Sequence, residues 1–231
     1  MTRLPELFAT VPAAFAGSYD TLRPWALLDA PMDDLLAALP SAEILGRVHP
    51  GAYLVGDRIV IGKGSRIAPG AVLEGPLWIG EDVEVRVGAY LRGGCWVGDN
   101  CVVGANVEMK RALLFPGAHA AHLNYVGDSI LGCDVNLGAG VILSNFRHDG
   151  KLIEIPAGNG ASLATEKRKL GAILGDQVAV GCNSVLNPGT IVGARTQIYT
   201  GVQLRSGLYP AGSLIKLRQE LSIVEILPAR A

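Results

Sequence analysis

Two long basic side chains, Arg92 and Lys110, lie 18 residues apart in this sequence. Each directly follows an aliphatic residue, at a position where glycine is often found elsewhere in the chain. If 18 residues make one coil of the chain, the two cations lie above one another on one edge of the coiled structure. Paired cations suit a phosphate group, although two solvated surface side chains would leave the same pattern.

Groups that can move a proton are concentrated in the next segment, which contains His122 and Tyr125. An imidazole gains and loses a proton near neutral pH, as a general base must, so His122 is the candidate base. Asn136, Asn145 and Lys151 follow as further polar candidates. An asparagine can also satisfy its own tight turn, and this alternative stays open for Asn136 and Asn145.

A six-residue repeat of aliphatic residues must position these side chains. We call each repeated residue a rung. The repeat has 22 rungs, of which 21 are Leu, Ile, Val or Met, and glycine directly follows 11 of them. Two steps of five residues, after Met109 and after Val126, keep the register. The rungs are Val55, Ile61, Ile67, Leu73, Ile79, Val85, Leu91, Val97, Val103, Met109, Leu114, Ala120, Val126, Leu131, Leu137, Leu143, Leu174, Val180, Leu186, Val192, Ile198 and Leu204.

This period predicts a short strand followed by a sharp corner, where the conformational freedom of glycine is useful. Three such units close one coil, and coils stack roughly 4.8 Å apart. The prediction is an all-β, single-stranded parallel β-helix of about seven coils. A helical bundle does not fit, because the period is neither 3.6 nor 3.5 residues.

Three segments lie outside the six-residue repeat. We expect residues 1–48 to form a helical N-terminal cap and residues 208–231 a C-terminal cap, because a solenoid needs its ends covered. The β-helix then occupies residues 49–207, with an inserted loop at 151–171. The basic run at the end of this loop, residues 167–169, meets either a phosphate or solvent, and both interpretations stay open.

Composition narrows the class of protein. The 20 basic and 21 acidic residues give a net charge of −1, which implies no large basic surface for nucleic acid, although a local basic patch stays open. The chain contains no apolar run of about 18 residues, and Glu6 interrupts an N-terminal stretch that faintly resembles a signal peptide. Four cysteines in 231 residues indicate no disulfide framework. A cytoplasmic location is the expectation.

The hexad resembles that of the left-handed parallel β-helix family, and the left-handed winding is implied by this resemblance. Within the family, the chain resembles the acetyltransferase domain of bacterial UDP-N-acetylglucosamine pyrophosphorylase/glucosamine-1-phosphate acetyltransferases. It resembles even more the C-terminal domain of archaeal-type sugar-1-phosphate nucleotidylyltransferases. The resemblance covers about residues 55–207 and rests on Glu108-Met-Lys110, Ala121-His-Leu-Asn-Tyr125, Gly127-Asp128, Val135-Asn-Leu-Gly-Ala-Gly140, Asn145 to Lys151 and Arg168-Lys-Leu-Gly171.

The resemblance implies a role for each of these positions. His122 would be the general base that deprotonates the attacking amine, and Arg92 and Lys110 would hold a sugar phosphate. Contacts with the sugar or phosphate would come from Tyr125, Asn136 and Lys151. The groove for the co-substrate acetyl-coenzyme A would be lined by Ala139, Asn145, Cys182 and Thr200. In the family this groove lies between the subunits of a homotrimer, and no metal is required.

Some features depart from the family pattern. Phe146 stands where the bacterial enzymes have tyrosine, so a hydroxyl is missing, and the C-terminal tail does not match theirs. No nucleotidyltransferase domain is expected, because the segment ahead of the six-residue repeat is too short for one and carries no Gly-rich nucleotide loop.

Two other function classes stay open. A γ-type carbonic anhydrase shares the fold but needs three histidines on one metal; His119 and His122 are close in sequence, yet their spacing differs from that family's. A non-catalytic trimer that binds a sugar nucleotide, or serves as a scaffold, is the non-enzyme alternative. The intact set of polar candidates from Arg92 to Lys151 favours catalysis.

Overall fold

Three parallel β-sheets wind around one core in the computed structural model, which describes residues 4–220. Each coil of the chain contributes one strand to each sheet, so sheets A and B have nine strands and sheet C has eight. The predicted all-β parallel β-helix is confirmed; left-handed winding is its form in the family that the sequence resembles.

The strands are short, two to four residues each. Sheet A contains Ala42–Ile44, Ile59–Ile61, Leu77–Ile79, Cys95–Val97, Leu113–Leu114, Ile130–Leu131, Ala172–Leu174, Thr190–Val192 and Gly207–Tyr209. Sheet B contains Arg47–Val48, Arg66–Ile67, Glu84–Val85, Val102–Ala105, His119–His122, Asn136–Leu137, Ala179–Val180, Gln197–Ile198 and Leu214–Ile215. Sheet C contains Tyr53–Val55, Val72–Glu74, Tyr90–Leu91, Glu108–Lys110, Tyr125–Gly127, Ile142–Leu143, Val185–Leu186 and Gln203–Leu204.

The predicted rungs form the core. All of them from Ile61 onward are buried in one apolar cluster inside the coil. Val55 is the exception: it is 48% exposed, and its neighbour Leu54 pairs with Leu73 in the rung position. Each step of five residues makes its coil one residue shorter than three full hexads, and Val97 accordingly pairs with Leu114.

The β-helix is longer than the predicted seven coils. It begins with the strand Ala42–Ile44 and continues to Leu214–Ile215, so two sheets contain nine strands. The six-residue pattern does not reveal the first coil, because the spacing of its inward residues is irregular. Ile44 pairs with Ile61, one residue short of three hexads, whereas Val48 pairs with Ile67, one residue beyond three hexads.

Glycines after the rungs are required for space rather than for unusual backbone angles. A Cβ on Gly62 would lie 2.4 Å from the carbonyl oxygen of Gly80, and one on Gly181 would lie 2.4 Å from the amide nitrogen of Thr200. The left-handed φ angles fall two residues later, at Gly64 and Asn183. The expected conformational role of these glycines is therefore wrong, since close approach of the next coil selects them.

The N-terminal segment, residues 4–39, packs along the outside of sheet A. It contains two 3₁₀ helices, Ala13–Ser18 and Pro24–Leu28, and one α-helix, Ala30–Ala37. Their buried side chains form a second apolar cluster with outward-facing residues of sheet A: Phe15, Trp25, Leu27, Leu28, Met32, Leu36, Trp96, Leu113, Ile130, Ile173 and Ile191. The segment thus covers one face of the prism, not the first coil as expected, because sheet A presents an apolar outer surface.

The inserted loop forms an antiparallel hairpin between the strands Glu154–Pro156 and Ser162–Ala164. Ile153, Ile155 and Leu170 are buried in the second apolar cluster, so the loop is attached to the body of the protein. Its Lys167 forms an ion pair with Asp29 of the N-terminal segment.

Residues 221–231, the end of the predicted C-terminal cap, lie outside the described residues. The division into domains at residues 48 and 207 stays a prediction, although strands lie on both sides of each boundary. Within residues 4–220, none of the helices has the length and apolar character needed to cross a membrane.

Candidate functional site

Arg92 and Lys110 lie side by side on successive coils, as their spacing predicts. Sheet C pairs Leu91 with Met109, so the two basic residues that follow occupy equivalent positions at its edge with sheet A. They line a cleft of about 520 Å³, which we call the cationic cleft. Its lining residues are Arg92, Lys110, Tyr125, Asn145, Phe146 and Lys169.

Charges in the cationic cleft are only partly neutralised. Arg92 Nη1 lies 3.1 Å from Glu108 Oε1. Burial and the adjacent ammonium group of Lys169 lower the pKa of Lys110, against the opposing effect of the Asp128 carboxylate. Asp128 Oδ2 accepts a hydrogen bond of 2.5 Å from Asn145 Nδ2, so this carboxylate is already engaged. The cleft therefore favours an anionic ligand.

Tyr125 faces outward from the strand Tyr125–Gly127 of sheet C. It lies between the two corners of the prism at which sheet C meets sheets A and B. Burial raises the pKa of its phenol, and the carboxylates of Glu108 and Asp128 raise it further. The hydroxyl accordingly keeps its proton at neutral pH and can donate a hydrogen bond. In this position it can contact a ligand held by Arg92 and Lys110.

His122 lies at the other edge of sheet C, in the corner between sheets B and C. Backbone hydrogen bonds join this corner from coil to coil: Gly140 N–H donates to His122 O at 3.1 Å, Asn183 N–H to Ala139 O at 2.9 Å, and Gly201 N–H to Cys182 O at 2.9 Å. The stacked residues are His122, Ala139, Cys182 and Thr200, which we call the His122 column.

The corner at His122 is shaped by a buried amide. Asn124 Oδ1 accepts the His122 backbone N–H at 3.1 Å, and Asn124 Nδ2 donates to Gly138 O at 2.8 Å. Leu123 between them has a φ of 52°, a left-handed value that is uncommon for leucine. The imidazole of His122 is left exposed on the surface, where it can reach a ligand.

The cationic cleft and the His122 column are separated across sheet C. Lys110 pairs with Gly127, which follows His122 by five residues, with the corner at Leu123 and the strand Tyr125–Gly127 between them. Five residues span at most about 17 Å when fully extended, which is the upper bound for the distance from His122 to Gly127 along the backbone. A ligand bound by the cleft must therefore extend across Tyr125 to reach His122 of the same chain.

Three predicted site residues lie elsewhere than their assigned group. Asn145, assigned to the co-substrate groove, lines the cationic cleft instead of the His122 column. Asn136 is exposed on sheet B and pairs with His119, while exposed Lys151 follows the turn at Asp149 and does not line the cleft.

Asn124 shapes the site but was not among the predicted residues. It occupies an inward position where small or β-branched residues are usual, and its polarity was the available signal. Lys169 belongs to the basic run 167–169, for which the sequence left phosphate and solvent open, because no repeat in the inserted loop indicates which way a side chain points. Among residues 4–220, no group of three His, Cys, Asp or Glu side chains is arranged to hold a metal ion; the absence of a metal requirement stays a prediction.

Residues 73–196 match the family model described as the GMPPB C-terminal domain. A bifunctional sugar-1-phosphate nucleotidylyltransferase/acetyltransferase from Sulfurisphaera tokodaii is 40% identical over 99 residues, which are 43% of this chain and 24% of that protein. The bifunctional protein GlmU of Methanococcus maripaludis is 31% identical over 202 residues, 85% of this chain and 48% of that protein. The chain thus spans less than half the length of these relatives.

Among solved structures, the UDP-N-acetylglucosamine O-acyltransferase LpxA from Moraxella catarrhalis aligns with 17% identity. The alignment covers 68% of this chain and 66% of that chain, with a TM-score of 0.30.

Proposed function

The chain belongs to the GMPPB C-terminal domain family, and from this premise we propose that it is an acetyl-coenzyme A-dependent N-acetyltransferase. Its acceptor is an amino-sugar phosphate similar to glucosamine 1-phosphate, or a nucleotide-linked amino sugar. The name of the Sulfurisphaera relative, which includes both sugar-1-phosphate chemistry and an acetyltransferase, supports this choice.

One observation carries the proposal: a cationic cleft and an exposed histidine lie at the two edges of a single sheet. Arg92 and Lys110 suit the phosphate of the acceptor, and Tyr125 lies between them and His122, where the sugar would lie. Asn136 and Lys151 are proposed as further contacts to the sugar or phosphate. The His122 column, with Ala139, Cys182 and Thr200, is the proposed groove for acetyl-coenzyme A. Asn145, which lines the cationic cleft, is proposed to contact the same co-substrate.

The proposed reaction is direct transfer between the two bound substrates. The imidazole of His122 accepts a proton from the amine as nitrogen attacks the thioester carbonyl carbon. A C–N bond forms, the C–S bond breaks, and the proton passes to the departing thiolate of coenzyme A. A backbone N–H or an asparagine amide stabilises the negative oxygen of the tetrahedral intermediate.

A homotrimer is the proposed assembly, as in the enzymes that the sequence resembles. The His122 column and the cationic cleft occupy the two edges of sheet C, so a prism packed alongside can add its own column to a neighbour's cleft. A cytoplasmic location, with neither nucleic acid nor membrane as a partner, completes the proposal.

The test uses the purified 231-residue chain with acetyl-coenzyme A and a panel of amino-sugar phosphates, and measures the release of free thiol. We expect thiol release with an acceptor that carries both an amine and a phosphate, and none with the matching sugar that lacks the amine. Tight binding of a sugar nucleotide without thiol release would instead support the non-catalytic alternative.

A further inference from the structure

The inserted loop returns to the β-helix beside the cationic cleft and brings a third basic residue to it. Lys169 lines the cleft together with Arg92 and Lys110. Its backbone forms an antiparallel bridge with Phe146, and the N–H of the next residue, Leu170, donates to Asn145 O at 3.0 Å. Lys169 is thereby attached to two residues that line the cleft.

The loop backbone on either side of Lys169 is held firmly. Leu170 is fully buried, and Lys167 points the opposite way to pair with Asp29 of the N-terminal segment. Thr165, also buried, donates its hydroxyl to Ile153 O at 2.6 Å and accepts the Lys167 N–H at 3.2 Å. These contacts fix the direction in which Lys169 leaves the loop.

The three cations outnumber the carboxylates that face them. Glu108 pairs with Arg92, and Asp128 accepts a hydrogen bond from Asn145 and lies 4.0 Å from Arg111 Nε. Among residues 4–220, neither Lys110 nor Lys169 has a carboxylate within ion-pair distance. Two adjacent ammonium groups repel each other, and a multiply charged anion between them removes that repulsion.

We infer that Lys169 is the third cation of a phosphate-binding site, so that the inserted loop determines how tightly the phosphate of the acceptor is bound. The identity of the acceptor rests on the proposed function, whereas binding of the phosphate itself requires no acyl transfer. Lys169 thus acts as a specificity-determining residue, which selects for the phosphorylated over the unphosphorylated amino sugar.

Isothermal titration of the 231-residue chain with glucosamine 1-phosphate, and separately with glucosamine, tests this inference without acetyl-coenzyme A. The variant is Lys169→Met, which keeps the length of the side chain and removes its charge. The matched control is Arg168→Met, which removes the same charge from the exposed neighbouring residue. Lys169→Arg retains the charge and is the rescue variant.

We expect Lys169→Met to weaken glucosamine 1-phosphate binding about tenfold, the effect of losing one hydrogen bond to a charged group. Arg168→Met should stay within twofold of the wild type, Lys169→Arg should restore most of the affinity, and the response to glucosamine should not change between variants. Unchanged thermal unfolding midpoints will show that each variant is folded.

Three results would overturn the inference: wild-type protein that binds neither glucosamine 1-phosphate nor inorganic phosphate, equal affinity of Lys169→Met and wild type, or equal losses in Lys169→Met and Arg168→Met. Failure of the proposed function looks different. In that case no thiol is released from acetyl-coenzyme A, while phosphate binding remains and still depends on Lys169.

Discussion

Arg92 and Lys110 occupy equivalent positions on neighbouring coils, yet Arg92 has a carboxylate partner, Glu108 at 3.1 Å, and Lys110 has none within ion-pair distance among residues 4–220. The positive charge of Arg92 is therefore partly compensated before a ligand arrives. Lys110 has no such ion-pair partner, although the charge of Asp128 also acts on it. The two stacked cations are consequently unequal as ligands for a phosphate.

This inequality predicts different costs for removing the two charges. Lys110→Met should raise KM for the phosphorylated acceptor about tenfold, because it removes an uncompensated charge-assisted contact. Arg92→Met should raise KM more, because it also leaves the Glu108 carboxylate without its partner, and this negative charge then repels the phosphate. Steady-state kinetics with varied acceptor provide the measurement, and a larger effect of Lys110→Met would contradict this interpretation.

His122 should be essential for turnover and unimportant for stability. We expect His122→Ala to lower kcat at least 100-fold, within the usual range for losing a general base. Its imidazole is exposed, so the unfolding midpoint should not change. His119→Ala, on the same strand but facing outward from sheet B, is the control and should retain activity. Wild-type turnover in His122→Ala would refute the proposed role of His122.

Asn124 should combine a structural role with an effect on catalysis. Asn124→Ala leaves the His122 N–H and the Gly138 carbonyl oxygen without their partners, which should cost about 2 kcal/mol in the free energy of unfolding. Urea denaturation measures this cost, and exposed Asn136→Ala provides the comparison. Because the corner at His122 relaxes as well, kcat should fall in Asn124→Ala while KM for the acceptor changes little.

The regular part of the fold could be predicted from sequence because each coil repeats the same rule. A coil of three hexads correctly placed Arg92 beside Lys110, and the shorter coils were accommodated by two steps of five. Lys169 could not be placed in this way, since the inserted loop has no period and its direction depends on Thr165 and Asp29. Tertiary contacts, not local pattern, put this residue in the cleft.

The position of the N-terminal segment was overlooked although the sequence carries a signal for it. Sheet A has large apolar residues one position before its rungs, among them Trp78, Trp96 and Leu113. The corresponding positions in sheet B are polar at Arg66 and Glu84. An outward apolar stripe on one face of a prism indicates a covering segment, and this information lies in the outward positions rather than in the inward rungs.

The close packing of coils gives a prediction about stability. Gly181→Ala should lower the free energy of unfolding by roughly 3 kcal/mol, within the range for overpacking, because the new Cβ would lie 2.4 Å from the Thr200 backbone nitrogen. Gly17→Ala is the control, since a Cβ there has nothing within 4 Å. Equal denaturation curves for the two variants would show that the coils can separate without cost.

The crowding of Lys110 by Lys169 predicts how phosphate binding responds to pH. Burial and the neighbouring ammonium lower the pKa of Lys110, so it loses its proton, and its attraction for phosphate, at a lower pH than an ordinary lysine. Affinity for inorganic phosphate, which carries no amine that titrates here, should therefore decline as pH rises toward 10, a range in which the phosphate stays doubly charged. Lys169→Met removes the neighbouring charge, so it should raise the pKa of Lys110 and shift this decline to higher pH, even though it lowers the affinity at neutral pH. A titration series from pH 7 to about 10.5 measures both effects. A decline at the same pH in both proteins would mean that the two ammonium groups do not interact.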